Sequence, residues 1–203
     1  GAFLAGALAA MLSNTGNVGS VAAVKGDAVQ EKYSNSFKTG AKYINRDIVV
    51  QSGFTNSYAD VNKGSEIANT MFQKGADIVS CFAGACNLGV FNATEAAGVG
   101  RYCFGAAKGQ FDKSPNKIIA SLVKPVDLAV SSIITSYAVD GKFEAGGTIK
   151  LGLENSGVLV RVTDMNPELA AMITPEIQKK LDEISAKIIS GEIKCPENEA
   201  EAA

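Results

Sequence analysis

The stretch GADIVSCFAGACNLGVFNATEAAGVGRYCFG, residues 75–105, decides the fold. Two short runs of apolar and β-branched residues, 76–82 and 100–105, flank a helical segment, 88–97. Glycines stand where the chain must turn between them. A strand, a helix and a second strand in this order predict a crossover unit whose two strands lie parallel in one sheet.

The same alternation continues on both sides of this unit. The segment 28–44 carries apolar residues every three or four positions, which predicts one helical face that covers a sheet. The sequence therefore predicts an α/β fold, a parallel sheet with helices on both faces. The further predicted strands are 18–24, 48–50 and 118–123, and the further predicted helices are one that starts after Asp60 and one over 126–139.

The two ends of the chain differ in character from the middle. GAFLAGALAAML, residues 1–12, has no basic residue before it and predicts a buried helix rather than a signal peptide. Because Gly1 opens within a helical pattern, we expect that a preceding portion with any export signal is missing. Residues 148–153 and 157–162 predict paired strands, as a hairpin or as crossings between lobes. Thr174 caps a last helix that stops at Gly191, and the acidic tail 197–203 is predicted to be disordered.

Composition excludes several functions. With 19 basic and 21 acidic side chains, the net charge is −2 and nothing attracts nucleic acid. The sequence has no histidine, which removes Ser-His-Asp and Cys-His activation. Its four cysteines form no CxxC pair, so we expect no metal, no cofactor and no disulfide framework. The chain is predicted not to be an enzyme; the remaining enzymatic alternative would use Cys86 or Lys108.

Candidate ligand-binding residues stand in the loops that follow the predicted strands. Loops at the carboxyl ends of parallel strands converge on one edge of a sheet, where ligands usually bind. Several of these residues also have an ordinary structural role: Asp27 could cap the next helix, Phe82 could belong to the core, Gly84 could serve a tight turn, and Lys124 could be solvated. The candidates are Asp27, Phe82, Gly84, Asn87, Lys108, Gln110 and Lys124.

Six stretches together resemble the basic membrane protein family of substrate-binding lipoproteins of ABC transporters. They are distributed over nearly the whole chain, in family order. They are GAFLAGALAAMLSNTGNVG, FKTGAKYINRDIVV, GADIVSCFAGACNLGVFNATEAAGV, ASLVKPVDLAV, AVDGKFEAGGTIKLGLENSGV and IISGEIKCP.

The resemblance implies a type I periplasmic-binding-protein fold, two α/β lobes joined by a hinge. Residues 1–140 would form mainly the C-terminal lobe with its hinge helix. Residues 141–196 would return as strands and a final helix that pack partly on an absent N-terminal lobe. The implied function is capture of a small polar ligand by lobe closure and delivery to an ABC permease, outside the cytoplasm, with a lipid anchor at a missing N-terminus.

The resemblance also bears on the ligand. Nucleoside-binding members carry an aspartate for the ribose hydroxyls where this sequence has Ala107, and a second aspartate where it has Gly109. The family lysine that meets the base is retained as Lys124, and Gln110 is retained as well. A nucleoside or related heterocycle is the predicted ligand. The alternative is a ligand-sensing regulator of the same fold that acts through a protein partner.

Overall fold

The computed structural model describes residues 1–108, 110–142, 146–148, 151–196, 198 and 200–202. Six strands form one sheet in the order β2-β1-β3-β4-β5-β6. The first five are parallel, and β6 runs antiparallel to β5. The strands are β1 (Asn17–Ala22), β2 (Val49–Phe54), β3 (Ile78–Cys81), β4 (Tyr102–Gly105), β5 (Ile118–Val123) and β6 (Leu159–Val162).

Helices cover both faces of this sheet, as the alternation predicted. Asp27 and Asp60 cap two of them by accepting hydrogen bonds from backbone N–H groups of the first turn. The helices are α1 (Ala2–Leu12), α2 (Ala28–Ile44), α3 (Val61–Gln73), α4 (Asn87–Ala96), α5 (Val126–Asp140), α6 (Pro167–Ala171) and α7 (Pro175–Ile189). None of these helices combines the length and the hydropathy of a membrane span within the described residues.

The core has two parts, one on each face of the sheet. One part joins α1, α2 and α7 to the sheet, and the other joins α3 and α4 to it. At the contact of α1 with α2 two glycines face backbone. A Cβ on Gly6 would lie 1.9 Å from the carbonyl oxygen of Phe37, and one on Gly40 would lie 2.0 Å from that of Phe3. The first helix is therefore buried because it can lie directly on the second.

The C-terminal third differs from the predicted hairpin. Residues 153–155 form a 3-10 turn, and residues 149 and 150 lie outside the described residues. The predicted strand 157–162 is present as β6, but it pairs with β5 instead of with its sequence neighbour. The local sequence of 157–162 does not specify this partner. The pairing depends on the long, buried apolar edge of β5, which is a property of the assembled sheet.

The predicted domain division stays a prediction, although two contacts bear on it. β6 extends the same sheet, and α7 packs against α1. Residues 200–202 of the predicted disordered tail form a 3-10 turn, while residues 197, 199 and 203 of that tail lie outside the described residues.

The helix α6, capped by Asn166, was not predicted from the sequence because its five residues are too few for a periodic pattern.

Candidate functional site

Because β1 to β5 are parallel, the loops that follow them lie at one edge of the sheet, and the seven candidate residues are all in or next to these loops. The two cavities described in the structure lie elsewhere. One of about 620 Å³ is lined by β2 and α3, and one of about 190 Å³ is lined by β6 and α7. The candidate residues therefore lie outside both of these cavities.

Lys124, at the end of β5, meets an aromatic pair. Its Nζ donates a hydrogen bond to the hydroxyl of Tyr33 over 3.3 Å and lies 5.2 Å from the centre of that ring. Beneath it the ring of Phe82 stacks on Tyr33, with centroids 5.3 Å apart and an interplanar angle of 24°. Phe82 itself is 5% exposed and packs edge-on against Phe37. Phe82 thus belongs to the core, and the more accessible aromatic ring is that of Tyr33.

The conformation of the loop after β3 is stabilised by its own residues. Gly84 is exposed with φ +64°, a left-handed conformation that favours glycine, and a Cβ there would lie 2.9 Å from the carbonyl oxygen of Tyr58. Asn87 is buried, and its side-chain oxygen accepts a hydrogen bond from the Ala83 N–H over 2.8 Å. Asn87 therefore supports the loop from below, while Gly84 lies at its surface.

Asp27 caps α2 with one carboxylate oxygen and contacts Tyr58 with the other. Its Oδ1 accepts hydrogen bonds from the N–H groups of Val29 and Gln30, over 2.9 and 3.0 Å. Its Oδ2 accepts one from the Tyr58 hydroxyl over 3.3 Å. Partial desolvation and the nearby Asp27 carboxylate raise the pKa of Tyr58. The carboxylate is half-buried, and its Oδ2 retains one lone pair for a ligand hydroxyl.

The loop after β4 places its two candidates differently. Lys108 Nζ lies 2.8 Å from Asp127 Oδ2 in the first turn of α5, and its ammonium lowers the pKa of that carboxyl. Gln110 Oε1 accepts a hydrogen bond from the Ala106 N–H over 2.9 Å, so it fixes the loop. Gly109 lies outside the described residues.

The structure thus joins two of the candidates, Phe82 and Lys124, through Tyr33. It places Asp27 beside Tyr58 and Lys108 beside Asp127. The sequence analysis missed Tyr33 because its helical spacing assigned it to the covered face of α2, although the ring lies close enough to the start of that helix to reach the loop edge. No local pattern could have paired Lys108 with Asp127.

The alternative nucleophile Cys86 has an unreactive environment. It is buried, and its Sγ donates to the carbonyl oxygen of Ser57 over 3.3 Å. Burial raises the pKa of Cys103 to about 12 and that of Cys81 well above its usual value, since a thiolate is costly without solvent. These thiols are arranged as small apolar side chains.

A family profile described as ABC transporter substrate-binding protein PnrA-like, with the short name Bmp, matches residues 1–199. The chain belongs to the Bmp family. The implied α/β fold of a solute-binding protein is confirmed by solved structures, and the family's role is substrate binding, not catalysis.

Curated relatives agree with this assignment. Basic membrane protein A of Borreliella afzelii is 34% identical over 198 residues, which cover 98% of this chain and 59% of the relative. Basic membrane protein B of Borrelia garinii subsp. bavariensis is 38% identical over 159 residues, which cover 78% of this chain and 46% of the relative. The chain thus spans about half to three fifths of the length of these Bmp relatives.

Solved structures show the same architecture. A solute-binding protein of an ABC transporter system from Aeropyrum pernix K1 has a TM-score of 0.80 at 26% identity, covering 98% of this chain and 65% of its own. A transcriptional activator of the comK gene from Bacillus halodurans has a TM-score of 0.76 at 19% identity, over 95% and 62%. The second likeness, at that identity, concerns the fold alone.

Proposed function

We propose that this chain is the C-terminal lobe of a two-lobed substrate-binding protein that closes on a nucleoside or related heterocycle. The observation that carries the proposal is the group of Lys124, Tyr33 and Phe82 at the loop edge. A flat ligand could stack beside Tyr33, and Lys124 retains donors beyond the one given to that hydroxyl. The remaining lone pair of Asp27 Oδ2 would accept a ligand hydroxyl.

The ribose contacts of such a ligand must differ from those of other nucleoside-binding members. Ala107 offers no carboxylate, and its backbone is tied to Ser121, whose Oγ receives the Ala107 N–H over 3.2 Å and donates to its carbonyl over 2.9 Å. Asp27 and Lys108 are the proposed substitutes. The first is an acceptor for hydroxyls, and the second brings a cation that would favour an electron-rich or anionic ligand.

The second lobe would also cover α5. None of the 15 residues of this helix is buried, although it carries seven large hydrophobic side chains that are 38% to 76% exposed. An exposed apolar surface of this extent marks an interface. We therefore assign α5 to the hinge and to contact with the other lobe, and residues 141–196 to segments that return between the lobes.

Closure of the two lobes would create the surface recognised by an ABC permease in the membrane. The proposed location is outside the cytoplasm, with a lipid anchor on a preceding segment. The alternative remains a ligand-sensing regulator, suggested by the loss of the ribose-binding aspartate at Ala107. Residues preceding this chain in the complete protein discriminate the two, because a signal with a lipid-modified cysteine fits transport and a cytoplasmic start fits regulation.

The test is thermal unfolding of the proposed two-lobed protein, with this chain alongside, in the presence of nucleosides, free bases, sugars and small anions. A ligand at 100 times its dissociation constant adds about 2.7 kcal/mol to the free energy of unfolding. Lys124→Ala should remove most of that gain. Lys180→Ala, which alters a lysine paired with Glu183 on α7, is the matched control and should keep it.

A response to nucleosides that depends on Lys124 supports the proposal. Stabilisation by sugars or anions alone refutes the nucleoside assignment and leaves a different solute. If no compound of the panel stabilises the protein, the transport function fails and the regulator becomes the better hypothesis.

A further inference from the structure

The strand β2 lies at one edge of the sheet, beside the cavity of about 620 Å³. It is the first strand of the sheet, and within the described residues it pairs with β1 alone. Six residues long, it contains no proline and no charged side chain, the usual devices that prevent edge pairing. The opposite edge, β6, has four residues and an exposed Arg161 that pairs with Asp164. Of the two edges, only β2 offers a long and uncharged strand.

The hydrogen-bonding pattern of β2 shows which backbone groups face outward. The N–H groups of Val49 and Thr55 donate to carbonyls at the start and end of the β1 ladder, over 2.9 and 3.0 Å. Because inward and outward residues alternate along a strand, Val50, Ser52 and Phe54 direct their N–H and C=O groups away from β1. Ser52 is the middle one of these three.

The helix α3 provides the second part of this surface. Glu66, Thr70 and Lys74 are exposed, follow each other at intervals of four residues and line the cavity beside β2. Gln51 Nε2 donates to the Met71 carbonyl over 3.1 Å, so the last turn of α3 lies level with the middle of β2. Thr70, next to Met71, thus lies near the level of Ser52, with Glu66 four residues before it and Lys74, just past the end of α3, four residues after it.

We propose that β2 and α3 form the interface of a symmetric dimer with a second copy of this chain. A two-fold axis through Ser52, perpendicular to the sheet, places the two β2 strands antiparallel and pairs Val50 with Phe54 of the second copy. This register makes about six backbone hydrogen bonds from the three outward residues of each strand. The same axis sets Glu66 opposite Lys74 of the second copy, twice.

The charge arrangement favours a second copy over an unrelated peptide. A two-fold interface requires each surface to complement itself, and the order Glu66, Thr70, Lys74 does so when reversed. An unrelated extended peptide could pair with the strand edge, but such pairing does not require the symmetric charges beside it. The polar groups Asn17 and Gln51 in the cavity already bond to each other and to backbone, which disfavours a small-molecule occupant.

Sedimentation equilibrium of this chain tests the proposal. We expect a concentration-dependent species of twice the 21.0 kDa chain mass. Glu66→Lys should weaken its formation by about tenfold, because two attractive pairs become two repulsive ones. Lys74→Glu should do the same. The double swap Glu66→Lys with Lys74→Glu should restore the original dissociation constant, since it only exchanges the two partners.

A second variant tests the strand independently. Ser52→Pro removes an outward N–H that none of the described strands uses, so the fold should persist, as checked by circular dichroism, while dimer formation falls by at least about tenfold. Three results overturn the proposal: a monomer at all concentrations, failure of the double swap to rescue, or a dimer unaffected by either change. The last would assign association to the exposed side chains of α5, and Ile134→Asn would then abolish it.

Discussion

Two apolar helices of this protein have opposite surroundings. Nine of the 11 residues of α1 are buried, whereas none of the 15 residues of α5 is. A helix that is apolar all round is stable only when it is covered on all sides. The cover of α1 comes from α2, α7 and the sheet, while α5 would be covered by the other lobe of the proposed two-lobed protein. The difference separates a helix that is covered within the described residues from one that is not.

The close contact of α1 with α2 should give the largest effect. Gly6→Val forces a side chain into the space 1.9 Å from the Phe37 carbonyl oxygen, and backbone cannot yield as a flexible side chain does. We expect the free energy of unfolding to fall by about 4 kcal/mol, the upper range for overpacking. Urea unfolding followed by circular dichroism measures it. A loss below about 1 kcal/mol would mean that the two helices can separate freely, contrary to this packing.

Truncation within α1 should rank second. Leu8 is fully buried, so Leu8→Ala removes its packing and leaves a cavity. The expected loss in the free energy of unfolding is about 3 kcal/mol. The same urea titration applies, with an unchanged m-value as the sign that only stability has changed. Retention of full stability would show that α1 is less essential to the core than its burial indicates.

The end of α5 should give an intermediate effect. Gly141 follows α5 with φ +63°, and a Cβ there would contact nothing within 4 Å. Gly141→Ala should therefore lower the free energy of unfolding by about 1 kcal/mol through backbone strain alone. Gly141→Asn is the matched control and should cost less, since asparagine tolerates the left-handed conformation. Equal losses for both variants would contradict strain as the cause.

Truncation on α5 should give the smallest effect in this chain. Ile134 is 61% exposed, so Ile134→Ala should change the free energy of unfolding by no more than about 0.5 kcal/mol. In the proposed two-lobed protein the same substitution should cost about 2 kcal/mol, because the side chain would be buried there. An equal and small effect in both proteins would refute the assignment of α5 to the lobe interface.

Apolar periodicity, together with capping and turn residues, predicted most of the secondary structure. The cap at Asp60 is confirmed, and of the two roles left open for Asp27 the structure shows capping, because capping is a local property of side chain and backbone. The strand β2 proved longer than the three residues predicted, since Gln51, Ser52 and Gly53 break the apolar run and only the pairing with β1 reveals them. Edge strands carry weak patterns because one side of them meets water.

For the candidate site, the sequence predicted which edge of the sheet holds the candidate residues but not the spatial groups that they form. That edge follows from the parallel order of the strands, a rule of topology. The stacking of Tyr33 on Phe82 and its contact with Lys124 join residues from three distant elements, and no spacing encodes such a contact. Asn87 was expected at a ligand, and its inward hydrogen bond to Ala83 depends on the turn of one loop.

By itself, the sequence determined the α/β class, the alternation of strands with helices and the family, because these depend on local periodicity and on residues in fixed order. Only the tertiary structure decided which apolar helix is covered and which is exposed. GAFLAGALAAML and the segment 126–139 are both apolar in sequence. Burial depends on what lies on the other side of a surface, and for α1 that includes Gly40 of α2, more than thirty residues after Gly6 in the sequence.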